Sequence, residues 1–234
     1  DSGIWAGFGN YFHREVGMNE AKELLIWRFL KVPIEKTYTF NWWTGQPVPD
    51  QPEQRYVEMR YVLHNDKGHQ LGEFPLQFGK VRIFQKDPRG SEAFIGEDWG
   101  RFTPIDDEMK LYLGLARDVV VKRKVVKSER QAVHANLYHQ DIVLQYDIEN
   151  FKNTPVTLDI EEDMNLLRNA FCGQKDRQAQ WEIVPEGTSI GKDRIERKDA
   201  RTVQLHIPLE AAPKGEAKVK PVTVTVHLIL KNEW

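Results

Sequence analysis

The sequence predicts an all-β fold, an antiparallel β-sandwich, and three observations carry that expectation. Apolar residues alternate with polar ones over several segments, β-branched and aromatic residues concentrate in those segments, and turn-forming residues separate them. Many short strands joined by turns favour a sandwich whose C-terminal part is immunoglobulin-like. Helix is expected to be scarce. Asn19-Glu20-Ala21-Lys22-Glu23 could cap a helix through Leu24 to Leu30, but the same apolar run would serve as a strand.

In the first half, Val57, Met59, Tyr61 and Leu63 alternate with Glu58, Arg60 and Val62, and Asn65-Asp66-Lys67-Gly68 supplies a turn. Val81-Arg82-Ile83-Phe84 reads as a strand. Met109, Leu111 and Leu113 alternate with Lys110 and Tyr112, and Val119, Val121 and Val125 continue the β-branched bias, so this region reads as strand broken near Gly114. From Asp141 to Glu149, Ile142, Leu144, Tyr146 and Ile148 share one face, and Val156, Leu158 and Ile160 alternate after the turn-like 150–155 stretch. The two segments read as a hairpin. Closing strands follow at Val203, Leu205 and Ile207 and at Val222 to Leu230, with the charged 187–201 stretch between as a solvated loop. The resulting division is an N-terminal β-region over 1–106 beside an immunoglobulin-like sandwich over 107–234, or one continuous unit.

The 234 residues carry 33 basic and 35 acidic side chains, a formal net charge of -2, so no whole-chain field favours DNA, RNA or anionic lipid. Nucleic acid is not an expected partner. Cys172 is the sole cysteine, which excludes an internal disulfide and a thiolate-rich metal site. The longest apolar run, Val222 to Leu230, is interrupted by Thr223, Thr225 and His227 and falls short of the roughly 20 residues of a membrane-spanning helix. The chain opens at Asp1 without an initiator methionine or leader, which reads as a processed product or an excised piece.

Candidate chemistry is sparse. Gly187-Thr188-Ser189-Ile190-Gly191 matches the G-x-S-x-G of a nucleophile elbow, with Asp193, Asp199, His206 and His227 downstream. An elbow needs a strand before it and a helix after it, whereas Val184-Pro185-Glu186 and a run of charges flank this one. His134, His139 and Asp141 are candidate metal ligands, since His139 and Asp141 would share a strand face, and His64 and His69 lie near each other in sequence. His206 and His227 fall on the polar phase of their strands and are expected to be exposed. Glu97-Asp98, Asp106-Asp107-Glu108 and Glu161-Glu162-Asp163 could contribute a carboxylate pair, but solvated turns explain them better. Trp42-Trp43, before the turn-rich 44–49 stretch, is the candidate ligand-binding pair, because an exposed indole can stack on a flat ligand face. Core packing is the competing explanation there, as it is for Trp99 and Trp181.

The words Leu71-Gly72-Glu73, Gly79-Lys80-Val81-Arg82-Ile83-Phe84, Phe94-Ile95-Gly96-Glu97-Asp98, Thr103-Pro104 and Leu113-Gly114-Leu115-Ala116-Arg117-Asp118-Val119 occur in that order. They are followed by Tyr146-Asp147-Ile148-Glu149-Asn150 and Pro155-Val156-Thr157-Leu158. In these, roughly residues 55 to 230 resemble the mucoidy inhibitor A type of bacterial proteins. The chain departs from that group at Leu76-Gln77-Phe78, where a proline-containing turn is common, and over its first 50 residues. The resemblance implies a β-rich bacterial protein, extracytoplasmic in the periplasm or at the cell surface, and brings no catalytic residues to carry over. The leading functional expectation is a noncatalytic structural or interaction module of the cell envelope, without a cofactor, whose partner is an envelope protein or a glycan. A carbohydrate-binding module using Trp42 or Trp43 is the alternative, and a metal- or carboxylate-dependent hydrolase the third.

Overall fold

A computed structural model describes residues 5–15, 21–87, 89–174, 176–213 and 219–234, with side chains from residue 32 onward. The fold is all-β. In chain order the strands are β1 (Trp5–Glu15), β2 (Ala21–Pro33), β3 (Glu35–Asn41), β4 (Pro47–Val48), β5 (Gln51–His64), β6 (Gly79–Lys86) and β7 (Glu92–Gly100). They continue with β8 (Glu108–His134), β9 (Leu137–Asn150), β10 (Val156–Asp163), β11 (Gln180–Val184), β12 (Ile195–Arg197), β13 (Thr202–Leu209) and β14 (Val222–Glu233). The 21–33 stretch is strand, so of its two sequence readings the extended one holds; Asn19 and Glu20 lie outside the described residues.

The chain divides into two compact units, residues 1–37 with 59–114 and residues 38–58 with 115–234. It therefore passes between units within β3, β5 and β8. β8 does not break near Gly114 but runs through it, and Gly114 marks the passage with φ +129. An L side chain rarely adopts that φ, which is why glycine stands there. The Asp106-Asp107 turn lies inside the first unit, bonded both ways to Asn65: Asp106 N–H donates to the Asn65 carbonyl and Asn65 N–H to that of Asp107.

In the first unit β1 pairs with β2 and β6 with β7, both antiparallel. Its core holds Val32, Leu63, Leu71, Leu76, Met109 and Leu111, with Tyr61, Val81 and Ile83 packed against it. Fully buried Asn65 organises the turn that the sequence marks at 65–68. Its Nδ2 donates to the carbonyls of Phe74, Thr103 and Pro104 at 2.9–3.2 Å, and its Oδ1 accepts from Gly72 N–H at 3.0 Å. A Cβ on Gly72 would stand 2.8 Å from the backbone of Asp66, so the close approach requires glycine.

The second unit is built on one mixed sheet in the order β11-β14-β9-β8-β5-β3-β10-β13-β12, with β4 beside β5. The antiparallel expectation is corrected at one ladder, since β3 and β10 pair in parallel with Tyr38 opposite Leu158. The expected hairpin over 141–161 is corrected as well. Both arms are strands, but β9 bonds to β8 and β14 whereas β10 bonds to β3 and β13. Alternation reports which face of a strand is buried, not which strand lies beside it.

Three strands separate β9 from β10 in the sheet. Four steps of ~4.8 Å make about 19 Å, which the short 151–155 connection spans only if nearly straight. Instead the sheet curls, so that β9 and β10 face each other through their side chains. Phe40 on β3 meets Tyr146 on β9 edge to face at a centroid distance of 6.3 Å, and Tyr146 Oη donates to Glu162 on β10 at 2.7 Å. Ile142, Leu144, Ile148, Leu158 and Ile160 are fully buried, and burying each contributes about 1.5–3 kcal/mol. Asn150 closes the connection: its Nδ2 donates to the carbonyls of Thr154 and Glu210, and its Oδ1 accepts from Lys152 N–H.

A helix that the strand periodicity does not announce, α1 (Met164–Cys172), follows β10 directly. Asp163 caps it by accepting from the N–H groups of Asn165 and Leu166, and Met164, Leu167 and Arg168 are its buried residues.

Candidate functional site

The tryptophan pair sits in the turn after β3, shaped by Asn41, whose Oδ1 accepts from the N–H groups of Trp43 and Thr44. Neither ring stands free. Trp42 is half-buried with the guanidinium of Arg55 at 4.2 Å and that of Arg123 at 5.0 Å from its ring centroid. Trp43 is half-buried too, and its indole N–H donates to Glu162 Oε2 at 3.0 Å. The pair thus leads to a buried ionic group. Arg123 Nε donates to Glu162 Oε1 at 2.6 Å, Arg123 Nη2 reaches Glu162 Oε2 at 3.3 Å, and both residues are buried.

Glu162 therefore accepts from Arg123, Tyr146 and Trp43 at once, which replaces the water it lost on burial. Burial works against the Arg123 charge, but the Glu162 carboxylate more than offsets it and holds the guanidinium above its ordinary range. Burial, with the Glu162 charge beside it, pushes the Tyr146 phenol well above its usual value. The four hydrogen bonds on Glu162 tie β8, β9, β10 and the turn after β3 together and so anchor the curl of the sheet.

His134 is exposed near the end of β8, while His139 Nδ1 accepts from Asn232 N–H at 3.2 Å. Asp141 is buried and shared among Lys127 Nζ at 3.3 Å, Gln131 Nε2 at 2.8 Å and His227 Nε2 at 2.9 Å. Among the described residues no group of three or more His, Cys, Asp or Glu side chains is placed to hold a metal ion. His206 and His227 are half-buried rather than exposed, because each meets a carboxylate across the sheet: His206 Nδ1 lies 2.7 Å from Asp159, and His227 bridges Asp141 and the Glu186 carbonyl. Burial raises the Asp159 carboxyl above its ordinary value despite the opposing pull of His206.

Ser189 is tied into the fold. Its hydroxyl accepts from Thr225 N–H at 2.9 Å, tying the loop to β14, and both ring nitrogens of His227 are engaged elsewhere. The acidic clusters are likewise occupied. Glu97 pairs with Lys80 at 3.0 Å, Asp98 accepts from Tyr112 N–H, Glu108 pairs with Lys110, and Glu161 pairs with Lys198. Trp181 donates its N–H to the Ala200 carbonyl beneath the guanidinium of Arg197.

The most exposed aromatic surface lies elsewhere, on the β6–β7 hairpin of the first unit. Val81 and Ile83 turn inward to the core, so by strand alternation Lys80, Arg82 and Phe84 turn outward. Opposite them on β7 stand Trp99, Glu97 and Phe94, the last brought opposite Phe84 by a bulge that skips Ile95. Phe78, just before β6, stacks on Trp99 at 5.3 Å with planes 10° apart, and Phe84 meets Phe94 edge to face at 5.5 Å. All four rings are more than half exposed, from 54% to 66%. Such a grouping of exposed rings is what interaction surfaces display and what solvated turns do not. For Trp99 the sequence leaves ligand stacking and core packing as competing explanations; its place opposite outward Lys80 puts it outside the core. No protein-family model, no curated protein and no solved structure matches this chain.

Proposed function

We propose that the chain is a noncatalytic interaction module of a bacterial cell envelope, acting through the outer face of the β6–β7 hairpin. The observation that carries this reading is the set of exposed rings at Phe78, Phe84, Phe94 and Trp99. It is supported by the engagement of Glu162, Asp141, Ser189 and His227 in bonds that hold the fold. The bacterial and extracytoplasmic parts rest on the resemblance to the mucoidy inhibitor A type. The glycan reading through Trp42 or Trp43 receives less support, because Arg55 and Arg123 stand over one ring and the N–H of the other is used by Glu162.

A photo-reactive phenylalanine analogue installed at Phe84, and separately at exposed Glu182 on β11, tests the reading in bacteria producing the full-length protein. The expected result is a discrete envelope-fraction adduct from position 84 and none from position 182. Equal labelling at both, or a protein confined to the cytoplasmic fraction, would overturn it. So would turnover of ester or glycoside reporters that a folded Asp141→Asn or Glu162→Gln variant loses.

A further inference from the structure

We propose that the partner of the β6–β7 face is a second copy of the same chain, joined face to face about a two-fold axis parallel to the strands. The inference rests on the interaction reading above and names its occupant. Cross-strand neighbours in the hairpin are Lys80 with Trp99, Arg82 with Glu97, Phe84 with Phe94, and Lys86 with Glu92. Every outward cation in these pairs stands on β6 and every anion on β7. A two-fold axis along the strands places β6 of one copy over β7 of the other with heights preserved.

Each pair then meets its own complement. Arg82 faces Glu97 of the second copy, Lys86 faces its Glu92, Lys80 lies over its Trp99, and the Phe84–Phe94 rings meet another such pair. Cation with anion, cation with ring face and ring with ring are all attractive contacts. The hairpin already shows the intramolecular form of each: Lys80 Nζ stands 5.6 Å from the Trp99 centroid, Arg82 lies 3.8 Å from Glu97, and Lys86 lies 3.1 Å from Glu92. A hairpin whose cross-strand neighbours carried like charges would set those charges against each other under the same operation.

The size of the face sets the strength. Eight residues at ~3.4 Å on two strands ~4.8 Å apart make a patch of only a few hundred Å², below the roughly 800 Å² per partner of a standard interface. A weak, concentration-dependent association is therefore expected, and sedimentation velocity from about 1 to about 200 µM covers the micromolar range in which it would be read.

The wild-type chain is expected to pass from monomer to dimer over that range. Arg82→Glu alone and Glu97→Arg alone each place two like-charged contacts across the axis and are expected to weaken self-association at least tenfold. An equimolar mixture of the two variants restores both contacts in a heterodimer, while each hairpin keeps its own internal repulsion. Recovery in the mixture to within about threefold of wild type is expected. Near-UV circular dichroism confirms that each variant is folded, and Phe84→Asp serves as an independent break. A wild-type chain that stays monomeric, a dimer indifferent to all three substitutions, or a mixture that fails to associate would each overturn the proposal. These outcomes leave the interaction reading to its own cross-linking and turnover tests, so the two can fail separately.

Discussion

The β8–β10 interior and the β6–β7 hairpin both combine arginine, glutamate and aromatic rings, to opposite ends. Inside the curl, an arginine, a glutamate, a tyrosine and a tryptophan close a group in which Glu162 receives four hydrogen bonds from the other three side chains. On the hairpin, arginine, glutamate, phenylalanine and tryptophan lie side by side with their faces in water. What separates the two is the number of layers over the strand. β8 carries β10 across the curl, and a charge placed there must find every partner inside the protein; the outer side of β6 has water for a partner and can hold groups in reserve.

The comparison is broken most severely at Arg123. Arg123→Ala leaves a buried carboxylate without its counter-charge and is expected to cost about 3–5 kcal/mol in denaturant unfolding, a large share of a domain's stability. Replacing the pair by Arg123→Met with Glu162→Leu should recover most of that loss, because no charge is then stranded. Tyr146→Phe removes one bond to Glu162 from an unchanged cavity and is expected to cost about 1–3 kcal/mol by the same measurement.

Acid sharpens the picture next. Asp147 is partly desolvated, which alone would raise its carboxyl, but bonds from Gln145, Thr223 and Lys124 outweigh this and hold it below its ordinary range. A carboxyl lowered in the folded state contributes stability that is fully present above its unfolded value of 3.8 and is lost as pH falls toward the folded one. Asp147→Asn should therefore be less stable than wild type at pH 6 and show a shallower fall in stability below about pH 4, as read by thermal unfolding across pH. The smallest effect is expected on the hairpin: Trp99→Ala or Phe84→Ser should change the unfolding free energy by no more than about 0.5 kcal/mol, as for exposed sites generally. A loss as large as at Tyr146 would show that those rings are structural after all.

Much of the strand content was legible because burial imposes a period of two on each strand separately. Leu158 and Ile160, Val203 to Leu209 and Val224 to Leu230 alternate in the sequence and are buried in the structure. Pairing was not legible, because Val156–Ile160 would read the same beside β9 as it does between β3 and β13. α1 escaped because it is short and its cap, Asp163, reads equally as the end of an acidic strand. Among the candidate sites, the residue types at Trp42, Trp43, His139 and Asp141 were informative only about polarity. Their partners Arg123, Glu162, Asn232 and His227 come from strands distant in sequence. The aromatic hairpin was within reach of pattern reasoning at Phe84, but Trp99 is usually a core residue type, and only the phase of the opposite strand places it outside.

The parallel ladder between β3 and β10 joins Tyr38 to Leu158, and it constrains how the protein comes into being. A chain emerging from the ribosome makes β3 early and must hold it, with its neighbour β5, until more than a hundred further residues have been added. Closing so long a loop is slow, and contacts of this range belong to the late stages of folding. In the meantime β3 offers an unfilled edge to any extended chain nearby. The same thread makes the C-terminal half a poor fragment. A piece beginning near residue 107 would carry β8 and β10 without the strands that stand between them, and its sheet would have a gap at its centre.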